Sequence, residues 1–288
     1  MLHGQTLFGS FIVHPMSGLE DHAGDIFRKS RVGLRVAAEE LIEMLGWSQA
    51  DLEHFEQEGR APSTESTKWN AVCERLELNP KKFQSILRGW EPEPIRHPWV
   101  TQIQTDGGGM AVHAYLVQDP NSTQTAIVDT GWSADALMQE ICKRGLEVGQ
   151  IWITHGHRDH IAALPELIQA LPQTQVFAGN GLIPQAHRIE SSQWLKLGLL
   201  SVQVHATPGH AEDGLTFIVN YSQHSLPGVA FVGDAIFAGS MGGAPRQFQL
   251  ARRKVREVVL AQPDDTLIAP GHGPMTQVAW EAAHNPFF

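Results

Sequence analysis

Two hydrophobic rhythms divide the chain. Between residues 28 and 83 apolar positions recur at helical spacing: Leu41, Met44 and Leu45 form one face, and Trp69, Val72, Cys73 and Leu76 form another. Gly46 is placed to stop the first of these helices, Ser48 to N-cap the next, and Asn79-Pro80 to close the later one. Beyond residue 99 the rhythm changes to the short apolar runs IWIT, VQVHA, VAFVG and TLIA, which alternate with helical stretches such as IAALPELIQAL. Between the two parts, the three prolines of RGWEPEPIRHPW cannot continue a helix. The pattern therefore predicts a helical domain over 1–90, a proline-rich linker over 91–98 and an α/β domain over 99–288, and 288 residues suit two modest domains.

Composition narrows the class. No apolar run approaches the roughly 18 residues a membrane span needs. The opening MLHGQTLFGSFIVHPMSG has no basic residue ahead of its apolar stretch and is broken by His14 and Pro15, so it reads poorly as a signal peptide and a cytoplasmic protein is expected. Cys73 and Cys142 lie in different halves and form no ligand-like pair, so both are expected to be reduced and structural. A formal net charge of −10 disfavours general affinity for nucleic acid or an anionic membrane.

The helix, tight turn, helix, loop, helix order of the first part resembles the small DNA-binding domain of the phage-repressor (Cro/C1-type) family over roughly 55 residues. That resemblance implies a helix entering the major groove, here Ser48 to Glu58. Yet this helix carries Asp51, Glu53, Glu56 and Glu58 without one Lys or Arg, and residues 1–98 sum to −4. Such a surface repels the phosphate backbone that supplies most non-specific DNA affinity. A domain used for self-association, giving a homodimer, or for covering the second domain is the expected alternative. Arg28, Lys29, Arg31 and Arg35 are the nearest approach to a basic patch and are expected to solvate a helix face.

The second part sets metal-capable residues in one repeated way. IWIT precedes His155, VQVHA precedes TPGH with His210, VAFVG ends at Asp234, and TLIA precedes PGH with His272. Strand ends converging on one sheet edge would gather these loops into one cleft. THGHRDHIAA adds His157, Asp159 and His160, making seven candidates. One zinc takes about four ligands and a catalytic zinc keeps a position open, so two ions sharing a carboxylate fit better. Mixed imidazole and carboxylate favour Zn2+, with Fe or Mn also accommodated. By contrast, the isolated histidines His97, His113, His187, His205, His224 and His284 are expected to be surface or satisfied core residues.

Residues 99–288 resemble the metallo-β-lactamase superfamily through the His-x-His-x-Asp-His string with a later His, Asp and His. GDAIFAGSMGG, PGHGP and HNPFF are similar to its glyoxalase II branch, the hydroxyacylglutathione hydrolases. The resemblance implies an αβ/βα sandwich, preceded here by the small all-helical domain. It implies that His155, His157 and His210 hold one ion, that Asp159, His160 and His272 hold the other, and that Asp234 bridges. Asp129, in AIVDTG, would orient a ligand histidine.

The chemistry implied is hydrolysis of a thioester, with a hydroxide shared by two ions attacking the carbonyl while Asp159 and Asp234 serve the catalytic centre. A thiolate leaves without protonation, which suits such a site. The branch commonly reads Gly-Arg where this chain has Gly242-Gly243, so the substrate anchor is open, with Arg158 and Arg246 as candidates. Lactone or ester hydrolysis and iron persulfide dioxygenation use the same fold. A nucleic-acid substrate is disfavoured by the net −6 of residues 99–288. A DNA-binding regulator with a ligand-sensing metal domain is the reading from another class. Ser240 lacks the GxSxG elbow of a serine nucleophile, DGGGM reads as a hairpin turn, and ARRKVR reads as a solvated helix face.

Overall fold

A computed structural model describes residues 18–179, 183, 185–221 and 226–288. Residues 1–17, which hold nearly all of the stretch read as a poor signal peptide, and His224 lie outside the described residues. Among the described residues no helix is long and apolar enough to cross a membrane.

Local capping accounts for the helical part. Helix α1 (Ala23–Gly33) opens on His22, whose ring accepts from Asp25 N. Helix α2 (Ala38–Leu45) ends at Gly46 in the left-handed region, φ 70°. Ser48 caps α3 (Gln49–Glu58), with Asp51 returning a bond to the cap backbone, so that acidic residue has a folding task. Helix α4 (Ser66–Arg75) follows, and Asn79 caps α5 (Pro80–Leu87), with Pro80 in the first turn. Phe27, Leu41, Leu52, Phe55, Trp69, Val72, Leu76 and Phe83 fill the centre. Each fully buried large apolar side chain contributes about 1.5–3 kcal/mol.

The basic cluster on α1 departs from expectation. Lys29 is tied to Asp21 and to Met241 O, and Arg31 forms a two-pronged bond to Glu56 at 2.6 and 2.7 Å. Neither solvates a free helix face, because each has a carboxylate partner brought close only by the fold.

The remainder forms two six-stranded sheets. Strands β1 (Val100–Gly107) and β2 (Met110–Gln118) make a hairpin turning at Gly108 and Gly109, and β3 (Gln124–Val128) leads to α6 (Asp135–Arg144). Strand β4 (Glu147–Ile153), helices α7 (Arg158–Ile161) and α8 (Leu164–Ala170), and strands β5 (Gln175–Ala178) and β6 (Ala186–Arg188) complete the first sheet, in order β1-β2-β3-β4-β5-β6. The second sheet has order β12-β11-β10-β9-β8-β7. It comprises β7 (Trp194–Leu197), β8 (Leu200–Ala206), β9 (Leu215–Tyr221), β10 (Val229–Gly233), β11 (Leu267–Pro270) and β12 (Thr276–Gln277), with α9 (Phe248–Lys254) and α10 (Val278–His284).

The sheets face each other through Tyr115, Val128, Trp152, Val202, Phe217 and Phe231, and Trp152 stacks on Phe217 at 5.7 Å. Outside the first sheet, Leu137, Ile141, Leu164 and Leu167 pack on Ile127 and Ile151. Outside the second, Val255, Val258, Val259 and Val278 pack on Ala230 and Ile268. Helix–sheet–sheet–helix layering is the αβ/βα sandwich expected.

The helical part is not an appendage. Its apolar core continues into Met241, Ala244, Phe248, Ala251 and Phe287. Asn79 N donates to Pro286 O at 2.8 Å, and Trp90 stacks on His284 at 4.6 Å. Arg252, inside ARRKVR, overturns the expectation of a solvated face: it is 6% exposed, bonds Glu77 at 2.5 Å and reaches Phe287 O at 3.0 Å. Helical periodicity placed it beside solvated neighbours, and packing of the helical part covered it.

Candidate metal centre

Four strand ends meet on one rim. The backbone ties the sheets together there, with Leu215 N donating to Thr154 O at 2.8 Å and His113 N to Gly271 O at 2.8 Å, while Gly271 N donates to Gly233 O at 2.9 Å within the second sheet. His155 follows β4, His210 lies beyond β8, Asp234 follows β10 and His272 lies just past β11. His157 sits at the N-cap of the short helix α7, whose first residues include Asp159 and His160. All seven residues thus come to one place.

Their polar atoms are aimed inward by acceptors behind them. His160 Nδ1 and Asp129 Oδ2 are 2.8 Å apart, His272 Nδ1 faces Ala111 O at 2.6 Å, and His210 Nδ1 faces Gly243 O at 3.0 Å. Thr154 donates its hydroxyl to Asp129 at 2.7 Å, leaving its oxygen to accept from His155 Nδ1 at 3.1 Å. Each of these four rings therefore places a proton on Nδ1 and turns its Nε2 to the centre.

At the centre, nitrogens crowd one another. His157 Nδ1 lies 3.1 Å from His155 Nε2 and 3.0 Å from His210 Nε2. At most one proton serves these contacts, so the lone pairs repel unless a cation lies between them. Ligands around zinc at 2.0–2.1 Å stand about 3.3 Å from each other, close to the spacing found. His160 Nε2 faces Asp234 Oδ1 at 3.3 Å, and both atoms are buried without a hydrogen-bond partner. His272 Nε2 lies 3.2 Å from Asp159 Oδ2 and 3.5 Å from Asp234 Oδ2. Among the described residues, three subsets have ligand atoms close enough to share an ion: His155, His157 and His210; His155, His160 and Asp234; and Asp159, His160 and His272. The donor set fits divalent metal on this count of orphaned, converging atoms.

The charges are strongly coupled. Burial alone would raise the Asp234 carboxyl, but the His160 and His272 charges hold it well below the usual carboxylate range. Burial opposes charge on His160 and His272 too. The neighbouring carboxylates outweigh it, raising His160 well above the ordinary value and His272 to about 10. His155 is pushed well down, by burial first and then by the other histidines.

Close approach demands glycine. A Cβ on Gly271 would stand 2.4 Å from Asp234 Oδ1 and 2.5 Å from His160 Cε1, which explains the small residue in PGH.

Asp129 accepts from Thr154 N and Thr154 Oγ1 as well as facing His160. Arg158 is exposed, with its guanidinium 5.9 Å from the centre of the Trp132 ring. Arg246 is exposed just ahead of α9. Two isolated histidines depart from expectation: His97 and His113 are 8% and 1% exposed, without a good hydrogen bond at either ring nitrogen. Burial lowers both, His113 to about 4, so each is kept neutral.

Sequence reasoning missed Thr154 and Gly271. A hydroxyl next to His155 and a glycine next to His272 were the available signals. It also missed Asp21, Lys29 and Ser240, for which no local signal exists. A cavity of about 400 Å³ opens at the opposite ends of β3 and β4, lined by Gln124, Glu147, Gln150 and Lys196 among others. Among the described residues, none of the groups able to share a metal ion lines it.

Residues 107–180 match the Metallo-beta-lactamase superfamily. The two-sheet part has the metallo-beta-lactamase fold. A hydroxyacylglutathione hydrolase of Maricaulis maris is 33% identical over 168 residues, 56% of this chain and 61% of that protein. A probable metallo-hydrolase of Bacillus subtilis, YqgX, is 29% identical over 207 residues, 62% of this chain and 93% of its own length. Among solved structures, TTHA1623 in a di-iron-bound form is similar at 26% identity and a TM-score of 0.53, across 65% of this chain and all of that one. Metal dependence characterises hydrolases of this superfamily.

Proposed function

We propose that the protein is a dinuclear metal-dependent hydrolase acting on thioesters of the hydroxyacylglutathione type. The carrying observation is the inward convergence of ring nitrogens and carboxylates from seven residues, with His155, His157 and His210 set nitrogen to nitrogen at 3.0–3.1 Å. His155, His157 and His210 would hold one ion, Asp159, His160 and His272 the other, and Asp234 would reach both, since its Oδ2 lies 3.3 Å from His210 Nε2 and 3.5 Å from His272 Nε2. Zinc suits this mixture of imidazole and carboxylate; iron suits it as well, and the similar TTHA1623 holds two irons. Ions bound there supply water activation and Lewis acidity towards a carbonyl.

The chain's own residues set the geometry for that chemistry. Asp129 fixes the His160 tautomer directly and that of His155 through Thr154. Asp159 and Asp234 bring two ionised carboxylates to the centre. Arg158 stands between two ligand residues, exposed at the mouth, as a cation for an anionic acyl-thiol substrate. The hydroxyacylglutathione hydrolase name of the Maricaulis relative supports this substrate class.

The test is steady-state hydrolysis of S-lactoylglutathione by zinc-reconstituted protein beside Asp234→Asn. The expected kcat/KM lies in the enzyme range of about 10⁴ to 10⁸ M⁻¹s⁻¹ and is lost in the variant. Activity confined to lactones or to thioesters without glutathione would overturn the substrate assignment while leaving the metal hydrolase.

A further inference from the structure

The loop after Asp234 is held from two sides by groups that take no part in ligation. Ser240 Oγ donates to Asp21 Oδ2 at 2.6 Å, and Lys29 Nζ donates to Met241 O at 2.9 Å and pairs with Asp21. On the far side, Asn285 Nδ2 donates to Ser240 O at 2.7 Å, and Glu281 accepts from Gly239 N at 3.0 Å. Immediately beyond the clamped residues, Gly242 lies so tightly on Asp234 that a Cβ would stand 1.8 Å from Asp234 O. The next carbonyl, Gly243 O, is the one that receives His210 Nδ1 at 3.0 Å.

Asp21 is 6% exposed, so its charge is withdrawn from water where the helical part meets the sandwich. A buried ion pair contributes little net stability compared with apolar packing, and the surrounding core already supplies that packing. What an apolar contact does not supply is direction. Two charge-assisted bonds to consecutive residues fix where the backbone runs, and the acceptor of His210 lies two residues further on.

We propose that Asp21 and Lys29 are positioning residues for the metal centre: the helical part sets the loop 239–243 and, through Gly243 O, the orientation of His210. This rests on the reading that the seven residues hold two ions. The helical part then belongs to the site, although it donates no ligand. Loosening its grip lets the His210 ring turn and weakens one ion selectively.

The experiment is zinc binding to the full-length protein by competition with a chelator, with Ser240→Ala and Lys29→Met as probes and Glu77→Gln as control. Ser240→Ala removes a single bond to Asp21 and guards against failure to fold. Glu77→Gln disturbs the contact with Arg252 elsewhere on the same junction. Wild type should bind two ions. Both probes should weaken one of them by roughly 10- to 100-fold, the usual cost of losing an outer partner, and leave the other unchanged. The control should lower Tm and leave both affinities intact. Probes that bind both ions as wild type does, or that lose both in step with Tm as a general loosening would, overturn the inference. A wild type that takes up no zinc removes the metal reading itself, and this inference with it.

Discussion

Asp129 adopts φ 54°, a left-handed conformation that Asp tolerates better than most residues, and its carboxylate serves three donors. Asn there would keep the shape but turn an amide towards the His160 and Thr154 protons. His160 would then place its proton on Nε2, facing Asp234. Asp129→Asn should therefore weaken metal binding by about 10- to 100-fold with little change in fold, read by chelator competition and circular dichroism. Protonation of the ligands themselves gives a second expectation. Burial disfavours charge on His272, but Asp159 and Asp234 outweigh it and hold the group to about 10 without metal. Zinc uptake near pH 7 must displace that proton, so affinity should rise with pH up to that region. Calorimetry in buffers of different ionisation enthalpy should show proton release on binding; a buffer-independent heat would contradict it.

At the scale of elements, α10 carries a fully buried carboxylate. Glu281 accepts from Thr276, Asn285 and Gly239 N, yet burial outweighs these donors and raises it from 4.5 to about 7. The folded state thus keeps a proton that the unfolded chain releases, so stability falls as pH rises from about 4.5 to about 7 and is level above. Glu281→Gln should remove that slope and be more stable than wild type above pH 7, by about 3 kcal/mol at most. Denaturant midpoints at pH 5 and pH 8 decide it. Helix α3 makes a different prediction. Asp51 serves its cap and Glu56 pairs with Arg31, but Glu53 and Glu58 remain exposed with no Lys or Arg on the helix. A low-salt gel shift with random duplex should show no retardation at micromolar protein.

Legibility also divides at this scale. HGHRDH announced four candidate ligands because they are adjacent, and the strand-end positions of His210, Asp234 and His272 followed from short apolar runs. Those four runs are β4, β8, β10 and β11, while the pairing of two sheets came from the family resemblance. Arg252 and Lys29 were not, since helical periodicity reports which face is polar but not what docks on it. The Asp21–Ser240 contact joins residues 219 positions apart, and no local pattern carries such a pairing.

For the whole molecule, the helical part and the sandwich share one apolar core, and the ties made by Asp21, Asn79, Glu77 and Lys82 all reach the sandwich near or beyond the loop following Asp234. The proposed metal centre nevertheless lies on the rim where the two sheets meet. Its most direct test is a zinc titration of metal-free protein with the initial rate of S-lactoylglutathione hydrolysis read at each addition. Turnover should be absent without metal, and the rate should climb until two ions are bound per chain. Full activity with one ion, or none with two, would contradict it.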